Sequence, residues 1–223
     1  MNRYNIKCLI VIKMISFRKY IMNSKQHWEN IYKTKKIDGV SWYQETPSDS
    51  LNLIKRFSNN KKDKIIDIGC GKGFLVDNLI NSNYRNITLV DISSNALEEV
   101  KTRVKNENIN YIESNVLDFS VDSKFDVWHD RAVFHFITDK KGIEKYISLC
   151  NKYIDKEGVL IIGAFAEDGP LKCSGLEIKR YSVKNLEALF SKNFELVEGF
   201  KTSHKTPFDT QQIFTFCVFR KVY

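Results

Sequence analysis

Short apolar runs recur along the chain, separated by stretches whose apolar residues return at every third or fourth position. The runs at 64–68, 86–92, 109–113, 125–136 and 158–166 read as strands, the fourth together with its exit. The stretches at 74–80, 94–106, 140–153 and 182–191 read as helices. Over 94–106, Leu97, Val100 and Val104 share one face and charges take the other. Over 140–153 the inward face carries Ile143, Tyr146, Ile147 and Cys150, and Ser182 is placed to cap the helix that follows it. The run at 158–166 is apolar throughout, as a central strand covered on both faces must be. Strands alternating with helices predict an α/β fold on a largely parallel sheet. The last two runs, 194–200 and 212–219, alternate apolar with polar residues around 201–209 and predict a closing antiparallel pair.

Ahead of the first strand, 24–60 is rich in aromatic residues, among them Trp28, Tyr32, Trp42, Tyr43 and Phe57. A helix over about 49–59 would carry Leu51, Leu53, Ile54 and Phe57, with Ser48 or Ser50 as its cap. Two roles fit this segment: a helix pair packed on the sheet, or a lid over a ligand. Residues 1–21 hold Arg3, Lys7, Lys13, Arg18 and Lys19 and no acid. Their apolar run, Leu9 to Ile12, ends at Lys13, too short to cross a bilayer, and no small-residue cleavage site follows. We expect 1–21 to be a dispensable basic extension and 22–223 to form one domain.

The chemistry concentrates where the first strand ends: Asp67-Ile68-Gly69-Cys70-Gly71-Lys72-Gly73. Strand, glycine turn and helix open a nucleotide-binding unit, because glycines adopt turn dihedrals and admit a ligand close to the backbone. The dinucleotide fingerprint requires a glycine where this chain has Phe74. The pattern actually present, Asp-x-Gly-x-Gly-x-Gly, resembles the first motif of class I S-adenosylmethionine (SAM)-dependent methyltransferases. The closing antiparallel pair resembles that family too. The resemblance implies a Rossmann-like seven-stranded mixed sheet with an antiparallel last strand and helices on both faces. It implies SAM as cofactor, with Gly69, Gly71 and Gly73 under its methionine part and Asp67 near its ammonium. The run from His27 to Gln44 resembles the entry segment of small bacterial members, placing Trp28 and Trp42 by the cofactor; aromatic faces suit a sulfonium.

Asp91 closes the second strand where a carboxylate can accept both ribose hydroxyls, with Ile92 beside it; capping the next helix is its other role. Family members carry an acid near position 115 that reads adenine. Here Asn115 keeps a carbonyl acceptor beside Val116, and Asp118 competes for the role. After the fourth strand, His129, Asp130, Arg131 and His135 form a polar cluster. Either Asp130 and Arg131 form an ion-pair network that fixes the loop, or the cluster contacts the methionine end and the acceptor. In the second case Asp130 touches the cofactor, and His129, Arg131 and His135 are catalytic candidates. Tyr43, Arg180 and His204 are candidates for holding the acceptor.

Charge and cysteines narrow the function. The net charge of +8 is concentrated at the start; beyond residue 21 lie 30 of the 35 basic residues and all 27 acids, a net of +3. A nucleic-acid partner is therefore not required, and the Pro-Pro-aromatic signature of amino-directed nucleic-acid methyltransferases is absent after the fourth strand. Cys8, Cys70, Cys150, Cys173 and Cys217 are odd in number and scattered, with no CxxC pair, so no metal site is expected and a reducing, cytoplasmic setting is. Cys70 is a compact filler of the turn or a reactive thiol. Methyl transfer is an in-line displacement, needing alignment above all and a base only for a protonated acceptor. A small-molecule acceptor, a thiol among the options, is the first reading, with no membrane partner. Protein lysine methylation, nicotinamide-dependent oxidoreduction and non-catalytic SAM binding are the alternatives.

Overall fold

A computed structural model describes residues 24–222. The basic extension 1–21 and its dispensability lie outside the described residues. Helix α1 runs over 24–34 and α2 over Ser48–Phe57. Then strands and helices alternate: β1 Ile65–Ile68, α3 Leu75–Asn81, β2 Ile87–Asp91, α4 Ser94–Val104, β3 Ile109–Glu113, β4 Phe125–Arg131, α5 Lys140–Tyr153 and β5 Ile154–Phe165. A two-residue hairpin follows, β6 Lys172–Cys173 with β7 Leu176–Glu177, then α6 Val183–Phe190, β8 Phe194–Lys205 and β9 Gln211–Lys221.

The seven-stranded sheet has the order β3-β2-β1-β4-β5-β9-β8. Strands β1 to β5 pair in parallel, and β9 inserts antiparallel to both β5 and β8. This is the expected Rossmann-like mixed sheet. Strands β1 and β2 are buried along their whole length, which is why they read as continuous apolar runs. Successive residues serve opposite faces. Ile65 packs with Leu53, Leu79 and Val100 of α2, α3 and α4, and Ile66 with Tyr146 and Phe190 of α5 and α6. Each fully buried side chain such as Ile54 contributes about 1.5–3 kcal/mol.

Three local expectations are corrected. Neither Ser48 nor Ser50 caps α2: Pro47 stands at the cap, no side-chain hydrogen bond closes it, and Ser50 is buried inside the helix. Proline suits a helix start because it has no N–H to leave unpaired. Residues 201–205 belong to β8, so the connection to β9 is shorter than expected. The loop after β5 carries the β6–β7 hairpin. Among the described residues no helix is long and apolar enough to cross a membrane.

Candidate functional site

The strand order reverses between β1 and β4, and ligands of such sheets bind at the carboxyl ends beside that switch. Ile68 at the end of β1 lies opposite Asp130 of β4, so the glycine turn and the exit of β4 are neighbours. Gly69 and Gly71 have φ of 65° and 53°, in the left-handed region that favours glycine. A Cβ on Gly69 would lie 2.0 Å from Val133 Cγ2, and one on Gly71 2.5 Å from the Tyr32 hydroxyl. The turn is thus bare because other elements press against it. Gly73 closes it, donating its N–H to the Cys70 carbonyl.

Asp91 ties this turn to the next helix. Its two oxygens accept the N–H of Gly71 and of Ser93, each at 2.8 Å. Ser93, not Asp91, caps α4, its side chain accepting from Ala96 N–H. Each carboxylate oxygen has a second lone pair, so Asp91 can still accept from a ligand hydroxyl. Burial pushes its carboxyl up to about 6, against the pull of the two N–H bonds, with Asp67 and Glu29 adding repulsion.

A cavity of about 1110 Å³ opens from this point. On the β2–β3 side it is walled by Asp91, Ile92, Asn115 and Val116, and on the β5–β9 side by Phe165, Cys173, Gln212 and Phe214. Trp28 and Trp42 line it between, their rings edge-on at 5.9 Å, and Trp28 also meets Phe136 at 5.3 Å. A smaller hollow lies over the glycine turn, bounded by Asp67, Gly71, Gly73 and Tyr43, with Phe74 against Tyr43. Tyr32, Trp42, Gly69 and Arg131 line both spaces.

The polar cluster after β4 divides. The Asp67 carboxylate accepts from His129 Nδ1 at 2.7 Å, and Ser50 Oγ satisfies the other ring nitrogen at 2.8 Å. His129 therefore lies within a closed hydrogen-bonded chain, with both nitrogens committed. Asp130 is not brought to either cavity. It is fully buried and accepts from the N–H groups of Val133 and Phe134 and from the Tyr146 hydroxyl. Nor does it pair with Arg131; the loop is fixed by Asp130 on its own backbone. His135 is also withdrawn: buried between Phe136 and Phe165, it accepts the Phe165 N–H at 3.4 Å. Burial, with Arg131 nearby, lowers it to about 3, so the ring is neutral and lines neither space.

His204 bonds the Ser41 carbonyl at 2.8 Å, and Arg180 the Gly169 carbonyl at 3.1 Å; neither side chain lines the two spaces. The Asn115 carbonyl oxygen is engaged with Leu117 N–H, capping the turn Val116–Asp118. Asp118 points to Lys145 outside the cavity.

Sequence reasoning gave no site role to the lining residues Ser50, Phe136, Phe165, Cys173, Gln212 and Phe214, nor to Glu29 of α1. Glu29 of α1 accepts from Ser93 Oγ, Ser94 N–H and Ser94 Oγ at 2.7–2.9 Å, and from Asn95. Burial raises its carboxyl, but these donors outweigh burial and hold it at about 2. An acid at a helix N-terminus from another element leaves no spacing signal, because its partner is 65 residues away.

A family model described as a methyltransferase domain matches residues 59–216, well over half of the chain. The chain is 26% identical over 171 residues to malonyl-[acyl-carrier protein] O-methyltransferase 2 of Ilyobacter polytropus, covering 75% of itself and 62% of that protein. It therefore spans less than two thirds of that relative's length. It is 23% identical over 201 residues to human EEF1A lysine methyltransferase 2, covering 81% of itself and 78% of that protein. Among solved structures it resembles the N-methyltransferase NodS of Bradyrhizobium japonicum in complex with S-adenosylhomocysteine (SAH). The TM-score is 0.69 at 17% identity, with 89% and 98% of the two chains covered.

Proposed function

The chain belongs to the class I SAM-dependent methyltransferase family, and from that premise we propose that it methylates a small-molecule acceptor in the cavity between β2 and β9. The observation that carries this is the tie between Asp91 and the glycine turn at the rim of a space of about 1110 Å³, larger than the roughly 300–1,000 Å³ usual for one small ligand. It leaves room for a donor and an acceptor together.

The residues fit the cofactor. Asp91 has acceptor capacity for the ribose hydroxyls, and Ile92 and Val116 offer apolar faces to the adenine. Gly69, Gly71 and Gly73 border the smaller hollow, where the methionine part would lie, with Asp67 on that side. When bound, SAM supplies an electrophilic methyl group on a sulfonium. The protein's work is to hold the acceptor in line and to exclude water, which α1 and the Trp28–Trp42 pair do by covering the cavity. Alignment of this kind is worth roughly 7–11 kcal/mol. The free thiols of Cys70, Cys150, Cys173 and Cys217 suit a reducing, cytoplasmic setting.

The lysine reading has one point in its favour, the extent of the match to EEF1A lysine methyltransferase 2. Against it, Arg131 at the acceptor side repels an ammonium. Calorimetry tests the proposal. SAM and SAH should bind the chain and NAD should not, with Asp91→Ala losing tenfold or more in SAM affinity. NAD binding without SAM binding would refute it.

A further inference from the structure

Arg131 enters from the end of β4 with its charge almost unanswered. One terminal nitrogen donates to the Trp42 carbonyl at 3.3 Å, a long bond, and the plane rests on the Phe214 ring at 4.7 Å. The other, Nη2, is buried and has no hydrogen-bond partner among the described residues. No carboxylate of the described residues forms an ion pair with it: Asp67 is taken by His129, and Asp49 acts on it only through space. Burial pulls its pKa down to about 10, a sign of how poorly the cation is compensated. A half-buried cation with an enclosed, unpartnered Nη2 costs stability unless another group completes it.

We propose that Arg131 receives a carboxylate carried by the methyl acceptor, so that the substrate is an anionic small molecule. The proposal rests on the methyl-transfer reading above. A guanidinium held flat on one ring and tethered at one corner presents its remaining N–H edge in a fixed plane. That is the geometry a carboxylate meets with two parallel hydrogen bonds.

The position favours the acceptor over the cofactor. Asp91 and Asn115 lie on the β2–β3 side of β1, whereas Arg131 shares its wall with Phe165 of β5 and with Gln212 and Phe214 of β9. Arg131 also borders the hollow over the glycine turn, but Lys35 and Lys36 stand there as well to face a cofactor carboxylate. Gln212 lines the same cavity, with its amide nitrogen on Ser41 and its Oε1 buried and unpartnered among the described residues. It calls for a hydrogen-bond donor on the same ligand. The bases tell the same story. His129 and His204 are committed to protein partners, and His135 lies buried outside the cavity. A carboxylate arrives ionised, with a pKa near ~4, and needs no base to bind.

The test is calorimetry on the full chain saturated with SAH, titrated with aliphatic and aromatic monocarboxylates and their primary amides. At least one carboxylate should bind tenfold or more tightly than its amide. Arg131→Gln should erase that difference and Arg131→Lys should keep part of it. SAH and 5′-methylthioadenosine, which lacks the carboxylate, should bind both variants as they bind wild type, which also shows that the variants fold. If Arg131→Gln weakens SAH but not 5′-methylthioadenosine, the guanidinium serves the cofactor and the proposal is overturned. It is overturned equally if carboxylates and amides bind alike. If wild type binds no SAH, the methyl-transfer reading falls first and this proposal with it.

Discussion

At the scale of single residues, the sequence identified which side chains carry chemistry but not which of them are spent on the protein itself. His129, Asp130 and His135 look alike on paper, polar groups at the end of a strand. In the fold, His129 bridges Asp67 and Ser50, Asp130 closes its own loop, and His135 is a neutral ring between aromatics. Burial decides this, because a buried polar group must find a partner and the nearest partner is usually protein. Asp91 differs in keeping acceptor capacity at a cavity wall, and its titration is measurable. Its folded pKa of about 6 leaves the carboxyl ionised at neutrality and above and mostly protonated only once the pH falls below 6. A ribose diol requires the ionised acceptor, and the cofactor's own amino and carboxyl groups do not titrate between pH 5 and 7. SAM affinity should therefore hold above pH 7 and fall as pH drops through 6. Asp91→Asn should bind more weakly than wild type above pH 7, approach the wild-type affinity at pH 5 and lose that dependence. Calorimetry across pH 5–8 checks both, and an unchanged profile in Asp91→Asn would assign the titration to another group.

At the scale of elements, apolar periodicity placed every major helix and strand from β1 onward, since burial on one face or two imprints itself on sequence. The ends were less legible. Pro47 rather than a serine opens α2, and β8 runs on to Lys205 through residues that look like loop. Strand β8 extends because β9 gives its backbone a partner, which no local pattern announces. The clearest element-scale device is Glu29, which fastens α1 to the N-terminus of α4. A carboxylate there gains from the helix dipole and from several donors, about 1 kcal/mol or more. Glu29→Gln should loosen α1 while leaving the sheet intact. Amide exchange over 24–34 should quicken, exchange in β1, β2 and β4 should not change, and SAH binding should weaken as Trp28 and Tyr32 lose their anchor. Unaltered protection of 24–34 would show that the aromatic contacts alone hold the helix.

At the scale of the whole molecule, the site is a property of no single element. Its walls come from the ends of β1, β2, β4 and β5, from β9 and from α1. A ligand that binds such a composite surface binds only the folded chain, so it must stabilise all of it. At a hundredfold excess over its dissociation constant SAH should add about 2.7 kcal/mol to the unfolding free energy. That should appear as a rise in Tm of a few degrees, while NAD at the same concentration should leave Tm alone. A melt insensitive to SAH would contradict the assembled site.

The α/β alternation, the glycine turn, Asp91 at its distance from that turn, and the antiparallel close were all legible from the amino-acid order. Each is written locally, as a period of burial or as a residue type that one backbone conformation demands. It took the assembled fold to leave Arg131 with a donor that no protein group answers while His129, Asp130 and His135 are consumed, and to bring Glu29 to α4. Those facts depend on which distant groups arrive beside each charge, and in a desolvated interior the arriving partner, not the residue's own chemistry, settles whether a charge is structural or free to bind.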